Sequence, residues 1–420
     1  MRYQILCALL LIACDGSSGR VRTGSGNGDG GNVGGGGTND MGGIAQIPDC
    51  IPGSPVDKDA DQDGDGYSPS AGDCNDCNKT INPGAIQIPN DPVDYACNGM
   101  AGAVPSCDVM AMGKNDATSL AQAFEQCDPR FFKSATLVGP SDARARAVTP
   151  MFGTIKPQQG TNMALLSTGL AKDKNASGFV EPQVGTGLGC DNTFPNPLPD
   201  IPANPLCAAE LMGMSCEPST VNDYTELVLK LKAPSNVNSF TFQFQFFSAE
   251  YPDFVCTQFN DEFLVLQESN GEFQTATNIS FDSGKNPITV NNGLFSVCTN
   301  GSKSYDMNCK SPVTMLAGTG YEDPVSKASS GSLSSICADD GSGPCASIIG
   351  GGDSSGGTTV PIGGSTGWLT TTAPVTPGED VTLHFIIFDE GDHIFDSAVL
   401  IDNFVWGTSV VSTPTTGPIS

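Results

Sequence analysis

Residues 239–247 read SFTFQFQFF, with Phe240, Phe242, Phe244 and Phe246 alternating with Thr241, Gln243 and Gln245. A period of two places all four rings on one side of an extended strand, whereas a helix would scatter them. The stretch therefore predicts a strand with one face in a core and the other wet. Comparable runs occur at 225–233 (TELVLKLKA), 262–269 (EFLVLQES), 381–389 (VTLHFIIFD) and 397–406 (SAVLIDNFVW), separated by clusters of Gly, Pro, Asn and Ser. Repeated strands with turn signals predict a mainly β chain, an antiparallel β-sandwich of jelly-roll-like form. One helix is predicted, at 115–127 (NDATSLAQAFEQC), with Asp116 as its cap and Leu120, Phe124 and Cys127 on one face.

A second pattern asks for chemistry. In DKDADQDGDGYSPSAGDCNDC, residues 57–77, Asp57, Asp59, Asp61, Asp63 and Asp65 stand at every second position with Lys58 as the one cation among them. Carboxylates roughly 7 Å apart repel by about 0.6 kcal/mol per pair in water, and by more near a protein surface. A hard cation relieves that repulsion, because Ca²⁺ takes six to eight oxygens from a flexible loop. Two frames fit a D-x-D-x-D-G ligand loop: Asp59, Asp61, Asp63 with Gly64, or Asp61, Asp63, Asp65 with Gly66, where Tyr67 offers its backbone carbonyl. The closing Glu of an EF-hand is absent in both, since Ser70 and Gly72 hold the twelfth positions and Pro69 opposes an exiting helix. Asp73 and Asp76 are the expected closing ligands. A solvated acidic linker is the alternative reading of the same run.

This segment resembles the metal-binding repeat of bacterial surface proteins and, more loosely, thrombospondin type 3 repeats. Its continuation NDPVDYACNG, 90–99, keeps Asp91, Asp94 and Cys97 of that repeat, but Pro92 and the scarcity of acids near Cys97 argue against a second cation there.

The chain begins MRYQILCALLLIACDGSSG: Arg2, an apolar run from Ile5 to Ala13, then Cys14. The run is too short to span a bilayer and reads as a leader. Leu11, Ile12, Ala13 and Cys14 resemble the lipobox of bacterial lipoproteins, which implies removal of residues 1–13 and lipidation of Cys14. Of the 16 cysteines, Cys7 and Cys14 belong to this leader, and the even remainder fits disulfides in an oxidising compartment. Cys74 and Cys77 form a C-x-x-C without the second pair that zinc needs, and are expected to bond to different cysteines.

The net charge of −27 repels phosphate backbones, so nucleic acid is excluded as a partner. Residues 14–56 are rich in Gly and predict a flexible tether, followed by an acidic disulfide module at 57–109, the β-sandwich at 110–407 and a loose tail at 408–420.

Four further stretches, FQFFSAEYPDFVCTQFNDEFLVL, NPITVNNGLFSVC, GGSTGWLTTTAPVTPGEDVTLHFIIFDEGDHIFDSAVLIDNFVW and CDPRFFKSATLVGPSDARARAV, together resemble the choice-of-anchor L family of bacterial surface proteins. The resemblance spans about residues 110–407. It implies an exported, surface-held β domain with no established activity, here anchored through Cys14.

Catalytic machinery is sparse. The chain has only His384, inside a predicted strand, and His393, in the acidic loop DEGDHIFDSA. No H-E-x-x-H occurs, and GGGDSSGG at 350–357 reads as a Gly/Ser loop because no histidine precedes His384. Structural cation binding is a better role for the acids of the domain. Glu250 and Asp253 leave the Phe-rich strand, Asp261 precedes the next, Asp396 precedes the last and Asp402 lies on it, where LIDNF resembles the Ca²⁺-holding strand of carbohydrate-binding-like jelly rolls. These five are the candidate second cation site.

The expectation is a non-enzymatic lipoprotein of the bacterial cell envelope. It is held to the membrane through its N-terminus and presents a Ca²⁺-stiffened, disulfide-braced β-sandwich to an extracellular glycan or protein. A secreted hydrolase acting on polysaccharide is the competing expectation, because a pair of acids in a sandwich cleft leaves no mark in sequence spacing.

Overall fold

In the computed structural model, Phe240, Phe242, Phe244 and Phe246 are fully buried along one strand. The structure describes residues 57–102, 106–139, 143–183, 185–188, 221–251, 259–271, 273–291, 293–298, 313–322, 324–325, 360–361, 363–390 and 394–419. All fall within one unit, Ile47–Ser420. The expectations for the leader, Cys14 and the 14–56 tether lie outside the described residues, as do those for Asp253 and His393.

Two antiparallel sheets pack face to face. In chain order the strands are β1 Phe132–Val138, β2 Arg146–Thr149, β3 Met163–Ser167, β4 Val221–Lys232, β5 Ser239–Ser248, β6 Glu262–Ser269, β7 Thr277–Asn278, β8 Ile288–Thr289 and β9 Val297–Cys298. They continue with β10 Pro324–Val325, β11 Val360–Pro361, β12 Gly364–Ser365, β13 Leu369–Pro374, β14 Asp380–Glu390, β15 Ser397–Gly407 and β16 Thr415–Pro418. One sheet runs β1-β4-β14-β6-β7 with β8 on β6, and the other runs β16-β13-β5-β15-β3-β2 with β12 on β5 and β9 on β12. β10 and β11 form a separate short ladder.

The chain changes sheet at each of the steps β4 to β5, β5 to β6, β13 to β14 and β14 to β15. The inward rows follow from the two-residue period. Leu227, Leu229 and Leu231 of β4, Phe263 and Val265 of β6, and Val381, Leu383, Phe385 and Ile387 of β14 meet the β5 phenylalanines and Val399 and Ile401 of β15. Phe242 meets Phe385 edge-on at 5.2 Å between ring centres. Each such ring contributes about 1.5–3 kcal/mol on leaving water.

The outer face of the second sheet departs from the expected alternation of dry and wet. Gln245 is buried and donates to Ser365 Oγ at 2.8 Å. Phe247, Ala249, Ala398 and Leu400 on that face are covered by Phe152, Leu316 and Tyr321, so the sandwich carries an extra apolar layer there. The layer comes from segments without strand periodicity.

Helix α1, Ala117–Ala123, begins at Asp116, whose carboxylate accepts from Ser119 N at 3.0 Å, as the capping pattern predicts. The tail is not loose: Thr415–Pro418 pairs with β13, and Thr416 Oγ1 lies 2.8 Å from Thr371 Oγ1. Threonines pair well across strands without an apolar run to advertise them.

Candidate metal-binding sites

The acidic loop folds around its own carboxylates. Asp61 Oδ1 accepts from Gly64 N at 2.7 Å and its Oδ2 from Gly66 N at 2.8 Å, which curls the chain through two glycines with φ of 79° and 93°. Those left-handed angles suit glycine, which has no Cβ to clash. Oxygens of Asp61, Asp63 and Asp65 come within 4.8 Å of one another. Asp59 is exposed and stands outside this trio, which corresponds to the frame Asp61, Asp63, Asp65, Gly66. Pro69–Ala71 makes only a 3-10 turn closed by Gly72, as expected from Pro69.

Asp73 and Asp76 return to the same place. Both are buried, and Asp76 Oδ1 accepts from Gln62 N at 2.9 Å. Burial, with the charges of Asp65, Asp63 and Asp76, pushes the Asp73 carboxyl up to about 6 against the Asn75 N–H that lowers it. Burial first and the Asp65 charge second raise Asp63. The Gly66 N–H, by contrast, leads the bonds that hold Asp61 low. Asp63 Oδ2, Asp73 Oδ2 and Asn75 Oδ1 are buried with no hydrogen-bond partner among the described residues. Tyr67 N donates to Asp65 Oδ1 at 2.8 Å, which fixes the position of that residue in the turn.

Two disulfides brace the segment, Cys74–Cys97 and Cys107–Cys127, and Cys77 is disulfide-bonded as well. Asp94 is occupied by Gln87 Nε2 at 2.6 Å and Gly99 N at 2.6 Å, which uses its oxygens within the fold.

The loop is fastened to the sandwich. Asn82 is buried, donates to Asp65 Oδ2 at 2.8 Å and accepts from Ser235 Oγ at 2.7 Å. Ser235 N reaches Gly84 O at 2.9 Å, Asn236 exchanges two bonds with the backbone of Ile86, and Arg130 donates to the carbonyls of Pro83 and Ala85. Ser235 and Asn236 belong to the turn between β4 and β5.

At the opposite end of the same two strands lies a second acidic group. β5 ends and β15 begins there, with Ser248 opposite Ser397, and β6 begins opposite the end of β14, with Glu262 facing Phe388. Glu250, Asp261, Glu262, Asp389, Glu390 and Asp396 are all buried. Asp261 Oδ2 accepts from Ser397 Oγ at 2.5 Å and its Oδ1 from Glu390 N at 3.3 Å, and Asp261 N donates to Glu250 Oε2 at 3.4 Å. Asp396 Oδ1 accepts from Thr186 N at 3.0 Å, and its carboxylate lies so close to Gly169 that any side chain there would collide with it. Burial, then the charges of Asp261 and Asp396, pushes Asp389 far up. Burial, then Glu390 and Asp261, does the same to Glu262, and burial carries Asp396 to about 8.

Of the five residues expected in a second cation site, the structure gathers Glu250, Asp261 and Asp396 at this end. Asp402 is not with them: its Oδ2 accepts from Gln158 N at 2.5 Å and Gln159 N at 3.1 Å, so it pins a different loop. Asp389 was missed although a signal existed. Val381, Leu383, Phe385 and Ile387 form an inward row whose next member by parity is Asp389.

His384 Nδ1 lies 2.5 Å from Glu226 Oε1, and Glu226 Oε2 accepts from Tyr224 Oη at 2.8 Å, on the outer face of the first sheet. His384 Nε2 is buried and has no hydrogen-bond partner among the described residues.

Among the described residues no helix is long and apolar enough to cross a membrane. No curated protein and no solved structure matches this chain. The family motif noted at 127–148 lies outside the matched residues. Residues 209–404, which hold β4 to most of β15, match the family described as Choice-of-anchor L domain, a match that implies a surface-associated protein.

Proposed function

We propose that this chain is an exported, envelope-anchored protein that presents a Ca²⁺-stabilised, disulfide-braced β-sandwich for adhesion or recognition. One observation carries the calcium reading: among the described residues, buried Asp63 Oδ2 and Asp73 Oδ2 lack hydrogen-bond partners where the Asp61, Asp63 and Asp65 oxygens gather. Asp61, Asp63, Asp65, Asp73 and Asp76, with the Tyr67 carbonyl, are the proposed ligands; Asp59 is left out because its carboxylate stands outside the trio. Oxygen donors alone suit a hard cation, and extracellular sites of this kind bind with dissociation constants on the order of 10⁻⁴ M. The surface role draws on the Choice-of-anchor L match, and lipidation of Cys14 on the leader sequence.

Anchoring and presentation are tested separately. Wild-type protein partitions into detergent and incorporates labelled fatty acid, whereas Cys14→Ser does not; a fully soluble wild type contradicts the anchor. A diacyl or triacyl group is expected, because a single chain holds a protein only marginally. For presentation, the purified chain is screened on a glycan array and on chromogenic glycosides in Ca²⁺. Saturable binding without turnover supports recognition, and turnover supports a polysaccharide hydrolase instead.

A further inference from the structure

Buried carboxylates at the far end of the sandwich need positive charge or protons. An ionised carboxylate in a low-dielectric interior costs several kcal/mol unless it is compensated. Asp389 is the sharpest case. It is 1% exposed, ends the inward row of β14 and stands close to Asp261 and Thr168, yet among the described residues neither of its oxygens makes a hydrogen bond of regular geometry. The charges acting on it most strongly are those of Asp261 and Asp396, both of which add to the problem.

A divalent cation resolves it. We propose that Asp261, Asp389 and Asp396, with Glu250 completing the shell, hold a Ca²⁺ ion that ties the β5–β6 crossing to the β14–β15 crossing. These residues leave four strands drawn from both sheets, so one ion fastens the sandwich where its two layers exchange chain. All the donors are oxygens, which suits Ca²⁺ over the nitrogen- and sulfur-seeking metals. Among the described residues only the Asp61, Asp63 and Asp65 oxygens are gathered within 4.8 Å. The sandwich carboxylates are spread more widely, as mutual repulsion in the ion-free chain dictates, and draw together on binding.

The site lies one strand length from the acidic loop, about 30 Å along the ten residues of β5, so the two are separable. Full-length protein carrying Asp61→Asn and Asp63→Asn, which disables the loop, is stripped with chelator and titrated with Ca²⁺ by calorimetry. One equivalent remains, and adding Asp389→Asn or, in a separate protein, Asp396→Asn abolishes it. Ca²⁺ raises the melting temperature of the loop-disabled parent but not that of the Asp389→Asn protein. Asp402→Asn, whose carboxylate serves the Gln158 and Gln159 amides instead, keeps the equivalent. Absence of any equivalent in the parent overturns the proposal, as does an equivalent that survives both substitutions or that Zn²⁺ fills in preference to Ca²⁺. If the parent binds as many ions as wild type, the loop reading fails while this one stands on its own variants.

Discussion

Asn82 Nδ2 donates to Asp65 Oδ2 at 2.8 Å, while Asn82 Oδ1 accepts from Ser235 Oγ at 2.7 Å, so one buried amide joins the acidic loop to the turn between β4 and β5. The loop's geometry is thereby set by the sandwich as well as by its own glycines. Asn82→Ala removes both bonds and leaves Asp65 and Ser235 short of partners. It is expected to cost about 1–3 kcal/mol in urea unfolding and to weaken Ca²⁺ binding without touching a proposed ligand. A variant that unfolds like wild type and binds Ca²⁺ equally contradicts this coupling.

Cys74–Cys97 closes a loop of 23 residues and holds Asp73 and Asp76 beside the trio. Replacing both cysteines with Ser is expected to cost about 2–5 kcal/mol and to reduce Ca²⁺ affinity, read by calorimetry. Replacing the Cys107–Cys127 pair costs stability with a smaller effect on affinity, since that bridge lies away from the ligands.

In the core, Phe242→Ala is expected to cost about 3–5 kcal/mol, because its ring is fully buried against Phe385. Thr241→Ala, on the half-buried outer side of the same strand, is expected to cost under about 1 kcal/mol, as a substitution away from the packed core does. Equal losses would mean that the Phe row does not organise the sandwich.

Asp402 gives a pH test. Burial pushes its carboxyl up to about 7, despite the N–H groups of Gln159, Asn403 and Gln158 that favour the charged form. A raised folded-state value means that the folded chain holds the proton more tightly than the unfolded one. The contribution is fully present below about 4, the unfolded carboxyl range, and is lost as pH rises through about 7. In chelator, wild-type stability measured by urea unfolding should fall across that window relative to Asp402→Asn, by up to about 1.4 kcal/mol per pH unit. Parallel pH profiles for the two proteins would contradict the assignment.

The five long strands were legible because their apolar residues repeat every second position: β5 occupies Ser239–Ser248 where the Phe alternation stands, and β14 occupies Asp380–Glu390 where VTLHFIIFD stands. β13 and β16 were not, since threonine-rich strands pair through backbone and hydroxyl groups without an apolar stripe. The acidic loop announced itself through charge crowding. The sandwich acids did so only in part, because parity carries Asp389 inward but spacing along the chain cannot show that Asp261 reaches the same end while Asp402 turns to the Gln158 and Gln159 amides. A bulge between Ile387 and Asp389, where β4 carries an extra residue opposite, shifts the register just before that end. No periodicity argument anticipates such a shift.

Backbone hydrogen exchange of the full-length chain, with Ca²⁺ and with chelator, tests the central claim most directly because it reads the loop residue by residue. The account predicts that Ca²⁺ slows exchange at Gln62, Gly64, Asp65, Gly66, Tyr67 and Asn75, whose amides bond to the proposed ligands. The protection should vanish in Asp63→Asn and persist in Asp57→Asn, since Asp57 lies outside the trio. Identical exchange at those amides with and without Ca²⁺ at millimolar concentration would show that the acidic run is a solvated segment and that the calcium reading of this loop is wrong.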